Sequence, residues 1–145
     1  MATERSAQVT WTGDLMSGSG EIHEAPSGAF GPLLVTWASR AEPDHGGKTS
    51  PEELIAAAHA SCFAMALSHG LAQAGTPPDE LNTSATVTFQ PGEGITKIAL
   101  TVEGRVPGID ESAFLEAAEG AKANCPVSKA LAGVPDISLD AHLES

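Results

Sequence analysis

The order of segments along this 145-residue chain predicts an α+β fold. Two observations carry that prediction. A long Ala-rich helical run separates one group of short strands from another, and the second group opens as a hairpin, with no repeating strand–helix alternation. Neither an internal repeat, a linker nor a low-complexity tract interrupts residues 1–145, so a single domain is expected.

The first third reads as strands joined by turns. Ala7–Thr12 alternates loosely and ends at Gly13-Asp14. Ser17-Gly18-Ser19-Gly20 is turn material, and Glu21–Glu24 continues a meander. Phe30–Arg40 carries Leu33, Leu34, Val35 and Trp37 and reads as a half-buried strand, followed by a loop over Ala41–Lys48 rich in Pro, Asp and Gly. The next segment has the clearest helix start. Ser50 is suited to cap, Pro51 to the first helical position, and Glu53 to close a capping box. That helix is expected to run to about Ala74, where Gly75-Thr76-Pro77-Pro78 stops it, and to bury Leu54, Ala58, Phe63 and Met65. Thr83–Phe89 and Ile95–Val106 form a hairpin about Pro91–Gly94. Asp110–Ala123 is an amphipathic helix with Phe114, Leu115 and Ala118 inward. Cys125-Pro126 opens a short helix to about Leu131, and Ile137–Leu143 alternates as a last strand.

Composition narrows the function. Hydrophobic residues make up 41% and charged residues 18%, which are globular values. Seven basic against nineteen acidic residues leave a net charge of −12 and no Lys/Arg cluster, which argues against nucleic acid and anionic membrane surfaces as partners. The N-terminal stretch lacks the apolar segment of a signal peptide, and the apolar run Leu54–Leu67 falls short of a bilayer span, so a soluble cytoplasmic protein is expected. No GxGxxG, GxxxxGK[ST] or GxSxG run occurs, so neither a nucleotide cofactor nor a nucleophile elbow is indicated. The two cysteines and five histidines show no CxxC or HxxxH spacing, which counts against the rival metal-binding reading.

The two cysteines are the remaining chemistry. Cys62 lies mid-helix, a position that by itself favours an inert buried thiol over a nucleophile, and His59, a local candidate for holding a thiolate, reads more simply as a core histidine bonded to a backbone carbonyl. Cys125 stands at a helix N-terminus, where unpaired N–H groups favour a thiolate, so local rules alone name Cys125 the nucleophile, although a thiol merely filling the cap position fits the same residues. Arg40 offers a permanent cation, and Glu52, in the first turn of the long helix, is suited both to complement the helix dipole and to pair with an arginine. A non-catalytic, stress-protective dimer with inert cysteines is the other reading these residues leave open.

The run from Lys48 to Phe63, KTSPEELIAAAHASCF, and Asn124-Cys125-Pro126-Val127-Ser128 together resemble the OsmC/Ohr family of thiol peroxidases; Ile95–Ile98 and Val106–Asp110 resemble its OsmC branch. The Ohr branch draws its arginine from the N-terminal region, where this chain has only Arg5; Arg40 matches the OsmC position. The resemblance implies an intertwined homodimer, with antiparallel sheets wrapped around central helices. It implies Cys62 as peroxidatic nucleophile, Cys125 as resolving cysteine, Arg40 as stabiliser of the thiolate and Glu52 as its partner. The implied substrate is an organic hydroperoxide, the implied reductant a dithiol or lipoylated protein, and no cofactor or metal is implied. An apolar pocket formed by Phe30, Phe63 and Met65 would favour alkyl hydroperoxides.

Overall fold

The structure, a computed structural model, describes residues 2–144. The chain divides after Pro51 into two compact units, and each has its own sheet.

In the first unit three short strands form an antiparallel sheet in the order β1 (Val9–Thr12), β2 (Ser19–Ile22), β3 (Leu33–Val35). Ser19 and Gly20, read from sequence as turn residues, belong to β2. The reason is a cross-strand packing demand. Gly20 pairs with Trp11 and Val35, and a Cβ there would lie 2.8 Å from both side chains. The expected strand through Arg40 is also shorter than predicted. It stops at Val35, and Trp37–Ala41 coils into α1. The signal is Thr36-x-x-Ser39. The Thr36 hydroxyl accepts from Ser39 N–H at 3.0 Å, and the Ser39 hydroxyl from Thr36 N–H at 3.0 Å. Thr49 returns to the sheet edge, its N–H donating to the Leu34 carbonyl at 2.9 Å.

The second unit begins within the first turn of α2, which spans Pro51–Gln73 and matches the helix read from the sequence to within a residue. Its buried side chains, His59, Phe63, Leu67 and Leu71, recur every fourth residue and form one stripe. Leu54 is only half-buried, Ala58 is exposed, and Met65 is 72% exposed, contrary to expectation, because they lie off that stripe. By length and composition α2 is sufficient to cross a bilayer, where the apolar run had been read as too short. Phe63, Leu67 and Leu71 are nevertheless part of the core of this folded unit.

The hairpin is longer than expected. β4 (Glu80–Gln90) and β5 (Gly94–Arg105) pair antiparallel, with a register irregularity at Thr88/Phe89. Alternation on β5 buries Ile98, Leu100 and Val102 and leaves Lys97, Thr101 and Glu103 outside. The chain then crosses over through α3 (Glu111–Asn124) and α4 (Pro126–Ala130) to β6 (Asp136–Leu143), which pairs with β5 in parallel. This sheet is therefore mixed, where antiparallel pairing alone had been expected. Asp110 caps α3, its Oδ1 accepting from Ala113 N–H at 2.8 Å. Phe114 and Ala118 point inward as read, but Leu115 is 45% exposed. Gly104 admits the Phe114 ring against the sheet, since a Cβ there would fall 2.6 Å from it. The core gathers Phe63, Leu67 and Leu71 of α2, Leu100 and Val102 of β5, and Phe114, Ala118 and Cys125.

Candidate active site

Two segments of the second unit build the site. On α2, His59 and Cys62 are one turn apart and lie on the same side of the helix. Facing them, Cys125 is the residue between α3 and α4, with Ser128 three positions further on. Pro126 occupies the first turn of α4, so the chain bends sharply at Cys125 and turns its side chain into the core.

The two cysteines, 63 positions apart (125 − 62), come together there. Cys62 packs against the core cluster that contains Cys125, and each thiol influences the ionisation of the other. Both are reduced. Access to them differs sharply. Cys125 is 0% exposed, whereas Cys62 keeps part of its surface open.

Their acidities differ in the opposite sense. Burial pushes the Cys62 thiol above its usual value, and its interaction with Cys125 adds to that, only partly offset by the N–H of Val127. Burial also opposes ionisation of Cys125. It is outweighed by the Cys62 thiol, by the N–H and hydroxyl of Ser128 and by the N–H of Val127, which together bring Cys125 below its ordinary value. Cys125 makes no regular side-chain capping bond, and a five-residue helix has little dipole, so these local donors carry the effect.

His59 does not act on Cys62 as its position in the helix had indicated. It is 0% exposed, and its Nε2 lies 2.7 Å from Ser128 Oγ. Its partner is not a backbone carbonyl but a side chain 69 residues away. Burial lowers the imidazole pKa, so the ring is neutral near pH 7. Ser128 had no assigned role in the sequence. Its signal was its place three residues after Cys125, where the third position of a helix faces the capping residue.

Arg40 lies in the last turn of α1, in the first unit, and Glu52 is buried in the first turn of α2. The expected apolar lining is not formed by all the named residues. Phe63 is fully buried, but Met65 and Phe30 are 72% and 43% exposed. A hollow of about 670 Å3 beside Met65 and His69, between α2 and the start of β4, has neither cysteine in its lining. Among the described residues, no three of the His, Cys, Asp and Glu side chains gather where they could hold a metal ion.

Comparison with known proteins agrees with this architecture. The family model described as OsmC-like protein matches residues 44–140. Peroxiredoxin OsmC of Escherichia coli (strain K12) is 43% identical over 148 residues, covering 100% of both chains. Organic hydroperoxide resistance protein OhrB of Bacillus subtilis is 31% identical over 93 residues, covering 63% of this chain and 68% of that one. A crystal structure of an organic hydroperoxide resistance protein from Vibrio cholerae superposes with a TM-score of 0.70 over 97% of this chain and 94% of that one, at 21% identity, a likeness of fold. On its sequence, and with the same fold, the chain belongs to the OsmC family.

Proposed function

We propose that this protein is a two-cysteine thiol peroxidase that reduces organic hydroperoxides. The observation that carries this reading is the packing of two thiols, one partly exposed and one enclosed, at the same core cluster. The names of its relatives, a peroxiredoxin and organic hydroperoxide resistance proteins, support it.

Cys62 is the peroxidatic thiol in this proposal, because a peroxide cannot reach a sulfur that is 0% exposed. Its thiolate attacks one peroxide oxygen, the O–O bond breaks, and an alcohol leaves while Cys62 becomes a sulfenic acid. Cys125 then attacks the Cys62 sulfur, expelling water and closing a disulfide. Its depressed pKa suits it to that step, since the attacking form is the thiolate. Arg40 has the part of moving charge from Cys125 toward Cys62. A guanidinium beside the outer sulfur would favour its thiolate and the charge developing on oxygen, and Glu52 would hold that guanidinium in place.

A dithiol, such as a lipoylated protein, is proposed to reopen the disulfide in the cytoplasm, where thiols are kept reduced. The working unit is proposed to be a homodimer. An apolar helix with only 22% of its most apolar window buried, together with exposed Met65 and Leu115, leaves surface for a second copy to cover.

Stopped-flow reduction of cumene hydroperoxide by wild type and Cys62→Ser tests the reading. The expected result is rapid reduction by wild type and a background rate in the variant. Equal rates would end the proposal.

A further inference from the structure

The mechanism above uses Cys62 and Cys125 but leaves the buried His59–Ser128 pair without work. His59 and Cys62 share one side of α2, and Ser128 and Cys125 occupy the opposing turn, so the four side chains form two facing pairs. The His59 Nε2 to Ser128 Oγ distance of 2.7 Å closes one pair, and Cys62 packs against the core cluster that holds Cys125. The Ser128 hydroxyl links the two, since it also acts on Cys125.

The direction of these bonds follows from one orphaned atom. His59 Nδ1 is buried with no hydrogen-bond partner. A buried N–H without an acceptor is rarer and costlier than a bare acceptor nitrogen. The neutral ring therefore carries its proton on Nε2 and donates it to Ser128 Oγ. With its oxygen engaged as acceptor, the Ser128 hydroxyl has its own proton free to point at the Cys125 sulfur. In the other tautomer Ser128 would spend that proton on His59 and offer Cys125 only lone pairs.

We propose that His59 is a positioning residue that fixes the Ser128 hydroxyl as a donor to Cys125, so that Cys125 is the leaving sulfur when the oxidised site is reopened and the reductant joins to Cys62. This rests on the disulfide cycle proposed above. One thiolate of the dithiol attacks Cys62 Sγ, the Cys62–Cys125 bond breaks, and its electron pair departs on Cys125 Sγ, stabilised by Ser128. The second thiol of the reductant attacks the mixed disulfide, freeing Cys62 as thiolate and closing the reductant into its own disulfide. The two electrons pass from dithiol to enzyme. Exposure favours the same regiochemistry, because only Cys62 is open to an incoming thiol.

Two measurements test it. In the first, the disulfide is formed with diamide, which needs no peroxidase activity, then treated briefly with glutathione, acid-quenched and peptide-mapped. The adduct is expected on Cys62; an adduct on Cys125 would overturn the proposal. The second is titration of the Cys125 thiolate by its ultraviolet absorbance in Cys62→Ser, which leaves one thiol. Adding His59→Leu or Ser128→Ala is expected to raise the midpoint by about one unit, a tenfold loss of thiolate, as for a lost hydrogen bond to a charged group. His59→Gln, whose amide N–H reaches the same place, is expected to restore it.

Glu119, Lys122 and Lys129 line the groove of about 320 Å3 beside Ser128 and are common to every variant, so their field cancels in the comparison. Unchanged midpoints in both His59→Leu and Ser128→Ala, or failure of the glutamine to rescue, would refute the assignment. If His59→Leu does not fold, Ser128→Ala decides. Loss of peroxide reduction with these results intact would count against the peroxidase reading alone.

Discussion

Cys62 and Cys125 divide between them two properties usually found on one reactive thiol: Cys62 has the access and Cys125 the acidity. The division follows from where each sits. Cys62 is at the margin of the α2 stripe, whereas Cys125 is folded inward at a proline-marked helix start, among donors that outweigh its burial.

Native-state alkylation separates the two properties. Iodoacetamide at mildly alkaline pH is expected to label Cys62 first, despite its higher pKa, because Cys125 reacts only after local opening. An opening that costs about 1.4 kcal/mol already slows labelling tenfold. Peptide mapping over time reads the order, and labelling of Cys125 ahead of Cys62 would contradict the burial assigned here.

Removing the inner thiol alters the outer one. Interaction with Cys125 helps to hold Cys62 above its ordinary value. Replacement of Cys125 by Ala is therefore expected to lower the Cys62 midpoint, read from thiolate absorbance, although burial continues to oppose ionisation. The same variant is expected to complete one turnover with hydroperoxide and then accumulate sulfenic acid, detectable with dimedone. A raised midpoint, or no sulfenic acid, would be the adverse result.

Acid sensitivity is expected from His59. Burial depresses its pKa below 6.5, so the unfolded chain binds the proton more readily than the folded one. Stability from the neutral ring is thus complete above pH 6.5 and is lost as the pH falls through the lowered folded value. Urea midpoints measured from pH 7.5 downward are expected to fall more steeply in wild type than in His59→Gln. Parallel curves would show that His59 does not titrate in this way.

Packing at Gly104 offers a test of the fold away from the thiols. Gly104→Ala would place a methyl carbon 2.6 Å from the Phe114 ring, between β5 and α3. The expected cost is about 1–3 kcal/mol in urea unfolding, as for other overpacked sites. A change within about 0.5 kcal/mol would mean that α3 yields without strain.

Much of this architecture was legible in the sequence because local chemistry and tertiary demand agree there. Pro51 begins α2 and Gly75 lies just beyond its end, Pro91–Gly94 turns the hairpin, and Asp110 caps α3. The failures are places where a distant partner decides. Gly20 looked like a turn residue until Trp11 and Val35 required a strand position without a side chain. Trp37–Arg40 looked extended because its apolar content masked the Thr36–Ser39 capping box. Met65 was assigned inward by helical spacing and Leu115 as part of an amphipathic face, yet α2 buries His59, Phe63, Leu67 and Leu71, and α3 buries Phe114, Ala118 and Ala121. At the site, the acidity of Cys125 was readable from the residues after it. The His59–Ser128 contact was not, since nothing local ties residues 69 positions apart.

The most direct measurement is a peptide map of protein treated with one equivalent of cumene hydroperoxide and then blocked with an alkylating agent. The expected product is a chain with neither thiol free and a single intramolecular Cys62–Cys125 disulfide, formed in wild type and absent from Cys62→Ser. Both thiols remaining free to alkylate after the peroxide has had time to react would contradict it.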